Sequence, residues 1–261
     1  MSNDETILQS KNIRCTIEPQ LGGRVSSLVA YGRELLITQN GEANPQKWGS
    51  YPMAPYAGRV RDGKFVFDSK DYQLEINLPP HAIHGTVFDR PFSVVESSSA
   101  RVIMQIDLGD RFAFHGSLTQ TISLEENLLS FSLELKTTDP KMPGQVGWHP
   151  WFARPCRIET NFETMYERDS FGIPTGAKVA PPAGPYDDCF TGSTKAPKII
   201  FDEAIFLTIE SDCSHWVVYD QTLHAICVEP QSGPPNGFNL QPFVVTPGAP
   251  LKKFMRLSIT R

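Results

Sequence analysis

Three of the six histidines in this 261-residue chain sit where a side chain could move a proton. His149 stands between Trp148 and Trp151 in "VGWHPWFARP". Imidazole titrates near neutrality, and aromatic neighbours that keep water away shift its pKa, a physical route to a general acid or base. The same pattern also reads as a satisfied histidine in an aromatic core. Glu229 closes the apolar run "LHAICVE" and is followed by Pro230 and the turn-forming tract "QSGPPNGFN". A carboxylate at a strand end beside a rigid loop can face a cleft, where partial burial raises its pKa toward a base's useful range. Its alternative is a solvated strand-end charge. His81 and His84 lie three apart in "LPPHAIHGT". They could bind a metal, bond to backbone in a turn, or line a polar pocket as neutral rings. No further cluster of Cys, Asp or His completes a metal set beside them. Gly85 permits close backbone approach. Arg59 in "AGRV" offers a fork of donors, and Asp187 and Asp188 in "PYDDCF" read as loop acids.

The elements that must position these groups read as strands. "IRCTIEP", "VSSLVAYG", "KFVFDSKDYQLEIN", "FSVVES", "RVIMQIDLG", "HWVVYD", "FVVTPG" and "LKKFMRLSIT" are rich in β-branched and aromatic residues between turn signals. In "SLTQTISLEENLLSFSLELK" two alternating runs flank a turn, which predicts an antiparallel hairpin with one face on a core. The fold class expected is all-β, a large antiparallel β-sandwich with few short helices. One domain over residues 1–261 suits a sheet protein of this length. The 22 prolines and 19 glycines gather between the runs. The four polar clusters, around Arg59, His84, His149 and Glu229, fall in turn-like contexts. Ser170–Gly192 is richest in turn formers and reads as a long loop.

Composition narrows the partners. A formal charge of −5 with scattered Lys and Arg gives no electrostatic reason to expect nucleic acid or an anionic membrane. Five widely spaced cysteines without a CxxC pair suggest neither a disulfide framework nor a structural zinc site. The polar, acidic start "MSNDETILQSKN" lacks the features of a signal peptide, so a cytoplasmic protein is expected. GxGxxG, GxxxxGK[ST], GxSxG and HExxH patterns are absent. Acid/base chemistry without metal or other cofactor, in a β-rich cleft, is what these residues leave.

Taken in order, the clusters resemble the aldose 1-epimerase (mutarotase) family of the galactose mutarotase-like supersandwich. The landmarks are "GRVRDGKF", "YQLEINLPPHAIHG", "HPWF", "YDDCF" and "CVEP". The resemblance implies His149 as general acid at a sugar's ring oxygen and Glu229 as general base at the anomeric hydroxyl. It implies His84, Arg59 and Asp187 as substrate-binding residues, with Trp148, Trp151 or Phe238 available to stack on a sugar face. The expected partner is a small-molecule sugar, and the expected assembly a monomer or homodimer. Gly58 precedes Arg59 where the best-known members carry Asn, which leaves the sugar open. A hexose-6-phosphate 1-epimerase would need basic groups converging on phosphate, for which Arg59, Arg61, Arg90 and Arg154 are candidates. A non-catalytic carbohydrate-binding or sensing protein, and more remotely a glycoside hydrolase, are the other readings.

Overall fold

A computed structural model describes residues 5–202 and 204–261, so the first four residues of the polar start lie outside it. The predicted hairpin forms as read: Gly116–Glu125 pairs antiparallel with Leu128–Thr137 along its whole length. Every second residue is buried, Leu118, Gln120, Ile122 and Leu124 on one strand and Leu129, Phe131, Leu133 and Leu135 on the other. A pleated strand sends alternate side chains to opposite faces, so this pattern gives the pair one dry side. "KFVFDSKDYQ" likewise becomes the hairpin Lys64–Phe67 and Lys70–Gln73. Its two turn residues, Asp68 and Ser69, both have positive φ, as a two-residue turn matching strand twist requires.

These units assemble into an all-β architecture dominated by two antiparallel sheets. The hairpin lies within an 8-stranded sheet, and an 11-stranded sheet packs against it. Ile17, Leu28, Phe152 and Val228 of the larger sheet share one core cluster with Leu118, Ile122, Leu133 and Ile259 of the smaller. In the larger sheet the neighbours are Arg24–Ala30, Ser50–Met53, Gly147–Ala153, Ala225–Gln231, His215–Tyr219, Asp187–Ser193 and Phe162–Arg168, in that order. Among the described residues the α-helix is one four-residue turn, Gly237–Leu240, and no helix is long and apolar enough to cross a membrane.

Ser170–Gly192 is not the long loop expected from its Pro and Gly content. It contains the exposed strand Pro174–Val179 and most of Asp187–Ser193, both paired with Phe162–Arg168. The turn formers there shape an outlying end of the sheet, where few side chains need burial.

Candidate active site

The site lies on the face of the larger sheet that turns away from the inter-sheet core. Strand alternation decides what reaches it. In Gly147–Ala153, Trp148 and Phe152 enter the inter-sheet core, while His149 and Trp151 point to the opposite face. In Ala225–Gln231, Ile226 and Val228 face that core, and Cys227, Glu229 and Gln231 face the other way. Two expectations are corrected here. Trp148 cannot stack on a sugar, since it is 1% exposed within the core. Phe238 also faces inward, against Tyr56, Phe65 and Phe112.

His149 and Glu229 belong to strand interiors rather than turns. The ladder between their strands is made at Gly147–Gln231 and at Trp151–Cys227 through Ala153–Ala225. Between stand Pro150 and Pro230, which have no N–H to give to a ladder. That register sets His149 across from Glu229, and cross-strand neighbours have Cβ atoms about 5 Å apart. His149 Nε2 accordingly lies 3.2 Å from Glu229 Oε1.

The two face a cavity of about 330 Å³ whose lining includes Arg59, His84, Trp151 and Asp187, a volume at the lower end of small-molecule sites. His149 is stacked between Tyr51, its cross-strand partner on Ser50–Met53, and Trp151, at ring separations of 4.9 and 5.2 Å. Trp151 Nε1 donates to the Gln46 carbonyl at 2.8 Å, tying this wall to the Asn44–Lys47 segment at the rim. Behind Tyr51 the fully buried Arg24 donates to the carbonyls of Leu21, Pro45, Trp48 and Phe88. Its charge is thus spread over fixed dipoles that brace the rim and the Phe88 turn.

His84 enters edge-on, 4.8 Å from the His149 ring. Its turn depends on two left-handed residues, His84 at φ 63° and Gly85 at φ 81°. A Cβ on Gly85 would stand 2.0 Å from the Ala54 carbonyl oxygen, so only glycine fits this approach. His81 is not part of the site, because its Nδ1 accepts from the Asp62 amide at 3.1 Å. The two histidines of "HAIHG" therefore form no metal pair.

Burial dominates the electrostatics. It pushes His149 down to about 3, helped by the positive Arg24. His84 is held well below the usual imidazole range by burial, then by His149 and Arg59. Glu229, 2% exposed, is raised well above the carboxylate range by burial and next by Asp187; a hydrogen bond from Gln231 Nε2 at 3.1 Å and the nearby Arg59 oppose this. The 3.2 Å contact favours opposite charges while burial favours none, and both are met if the pair holds one proton between its members. An ionised Glu229 beside a protonated His149 is thus one of two forms of the pair, and burial favours the neutral one.

At the rim Arg59 Nη2 donates to Asp187 Oδ2 at 3.1 Å, Arg168 Nη1 reaches the same oxygen at 3.4 Å, and Arg168 Nε lies 2.6 Å from Asp188 Oδ1. Both aspartates line the cavity. Arg168, Gln231 and Tyr51 were not singled out from the sequence, and Asp188 was read there as a loop acid. Gln231 was within reach, being two positions beyond Glu229 on one strand face; Arg168 carried no signal, since its role depends on register between distant segments. Of the arginines considered for phosphate, Arg59 alone lines the cavity. Arg61 pairs with Asp169, Arg90 with the Leu108 carbonyl, and Arg154 with the Thr222 and Asp220 carbonyls.

One further set of groups converges around the pair. Ligand atoms of His149, Cys227 and Glu229 lie within 4.8 Å of one another. Spacing along the chain could not reveal this set, because register assembles it.

A family model described as aldose 1-epimerase matches residues 6–258. The chain belongs to the aldose 1-epimerase family. In fold it is similar to a galactose mutarotase-like protein from Clostridium acetobutylicum, with a TM-score of 0.86, 19% identity, and coverage of 98% of this chain and 94% of that one. A galactose 1-epimerase from Lactobacillus acidophilus NCFM superposes with a TM-score of 0.81 at 17% identity, covering 97% and 93%. The aldose epimerase homologue from C. elegans gives 0.86 at 15% identity, covering 98% of both chains. A curated relative, the uncharacterized protein YphB of Escherichia coli K12, is 26% identical over 105 residues, 39% of this chain and 36% of its own length. This match therefore spans about a third of that relative.

Proposed function

We propose that this family member is an aldose 1-epimerase that interconverts the α and β anomers of an aldohexose. The observation that carries the reading is the 3.2 Å contact between His149 and Glu229 at the cavity floor. Mutarotation removes a proton from the anomeric hydroxyl and delivers one to the ring oxygen, so it needs one group with a proton and one without. A pair holding a single proton meets that need in either form.

Ring opening starts from the ion-paired form. Glu229 takes the anomeric hydroxyl proton, His149 gives its own to the ring oxygen, and the bond from C1 to that oxygen breaks. The pair is left neutral, with the proton on Glu229. After rotation about C1–C2, Glu229 returns its proton to the aldehyde oxygen and His149 takes that of the attacking hydroxyl. Burial thus favours the form from which ring closure begins, and sugar hydroxyls bonding to the carboxylate draw the pair toward the other. Arg59, His84 and Asp187 hold the remaining hydroxyls, and Trp151 offers an apolar face to the ring. Each proton transfer is worth about 10²–10⁴-fold.

Arg59 and Arg168 are both engaged by aspartates, which favours a neutral sugar over a 6-phosphate. The test is a screen of anomer exchange, by polarimetry and NMR, over glucose, galactose, other aldoses and their 6-phosphates. A free aldose is expected to exchange at a rate that falls at least 100-fold in His149→Gln, from the lower end of that range. Tight sugar binding without accelerated exchange would refute the reading in favour of a carbohydrate sensor.

A further inference from the structure

We infer that His149, Cys227 and Glu229 form a site for a thiophilic divalent cation, Zn²⁺ or Cd²⁺, and that its occupation shuts the sugar site. The second half rests on the proposed function; the first does not. Cys227 is fully buried and has no part in the proton transfers, yet it shares a strand face with Glu229 and stands across from Trp151, two residues beyond His149. One imidazole nitrogen, one thiolate and one carboxylate are a donor set suited to zinc, with a fourth position left toward the cavity. Tetrahedral ligands at zinc bond lengths stand about 3.3–3.8 Å apart. The atoms here lie within 4.8 Å, so side-chain adjustments of about 1 Å close the set.

Charge also balances. Binding displaces the Cys227 thiol proton and the proton shared by His149 and Glu229. One dication with one thiolate, one carboxylate and a neutral imidazole is net neutral, so no uncompensated charge is buried. Two protons are released per ion, and affinity therefore rises with pH. Gln231 adds an uncommitted oxygen beside the carboxylate, since its fully buried Oε1 has no hydrogen-bond partner. His149 Nδ1 also lacks a partner to orient the ring, and loss of such a partner commonly costs about 10–100-fold in metal affinity. The site is accordingly an inhibitory one of moderate affinity. An ion there ties up both groups that handle protons and stands where C1 of the sugar must sit.

The test uses the full chain, stripped with a chelator and titrated with Cd²⁺ at pH 7.5 in the absence of sugar. One equivalent is expected to raise the ultraviolet charge-transfer absorption of a cadmium thiolate. That band should persist in Cys156→Ser and Cys189→Ala and vanish in Cys227→Ala. In anomer-exchange assays Zn²⁺ should raise KM without lowering kcat, reversibly on chelation, and Cys227→Ala should retain exchange while needing at least tenfold more Zn²⁺. If Cys227→Ala fails to fold by circular dichroism, His149→Gln serves instead and must weaken Cd²⁺ binding at least tenfold. A band that survives in Cys227→Ala, or no band at millimolar Cd²⁺, overturns the inference. A Cys227-dependent band in a protein that exchanges no sugar leaves the cation site standing and refutes the proposed function; sugar exchange without the band does the reverse.

Discussion

Replacing Glu229 by Gln should make the protein a poorer catalyst and, as pH rises, a more stable one than the wild type. The sign follows from proton counts. In the unfolded chain the carboxyl titrates near about 4.3 and the imidazole near about 6.5. The folded pair holds one proton because burial raises Glu229 and depresses His149. Between about pH 5 and about pH 6.5 the unfolded chain holds one proton on His149 and the folded pair also holds one, so wild-type stability is flat there. Above about pH 6.5 the unfolded chain has lost both while the folded pair keeps one, so folding takes up a proton and wild-type stability declines as pH rises. In Glu229→Gln the amide carries no titratable proton and His149 stays neutral in the folded state. The variant therefore gains stability up to about pH 6.5, as the unfolded imidazole loses its proton, and stays level above it. The gap between the two proteins should widen in the variant's favour by about 1.4 kcal/mol per pH unit until the pair releases its proton. From pH 6 to pH 8 this is about 2.7 kcal/mol, or roughly 5–11 °C in Tm at the usual 2–4 °C per kcal/mol for a chain of this size. The assay is thermal unfolding of both proteins at pH 6, 7 and 8, with polarimetry on the same samples. Gln is nearly isosteric with Glu, so packing is conserved while exchange should fall by about 10²–10⁴-fold. Parallel stability curves across this range would refute the shared-proton pair, whatever the activity did.

Other outcomes follow from the same geometry. The pH profile of kcat/KM should be a plateau at least two units wide, with its acid limb below about pH 5, because burial drives the two members of the pair outward; a narrow bell centred near 6.5 would contradict this. Trp148→Phe should alter stability alone, while Trp151→Phe, which loses the 2.8 Å bond to Gln46, should raise KM by roughly 2–12-fold from a hydrogen bond of about 0.5–1.5 kcal/mol. Equal effects of the two changes on KM would place the alternation wrongly. Gly85→Ala meets both a left-handed φ and the Ala54 oxygen. It should cost at least about 2 kcal/mol in urea unfolding and loosen His84, whereas a loss near zero would show that the turn yields.

The sequence by itself determined the strands, because hydrophobic alternation and turn chemistry are local properties. It also determined the order of the landmarks at Arg59, His84, His149 and Glu229, on which the family resemblance rests. Period-two alternation even held the answer to the paired tryptophans: once Gly147–Ala153 is a strand, Trp148 and Trp151 must face opposite sides. Pro150 and Pro230 obscured it by making both segments read as turns, since a missing N–H looks like a strand end until a gap in the ladder absorbs it. Tertiary structure alone decided the rest. Register between distant strands set His149 3.2 Å from Glu229, brought Cys227 close to both, and linked Arg168 to Asp187 and Asp188. It also set the depth of burial, which moves the pair from two independent titrations to one shared proton. Composition names the groups that can carry charge, but how much water surrounds each is a property of packing, and that decides which of them keep it.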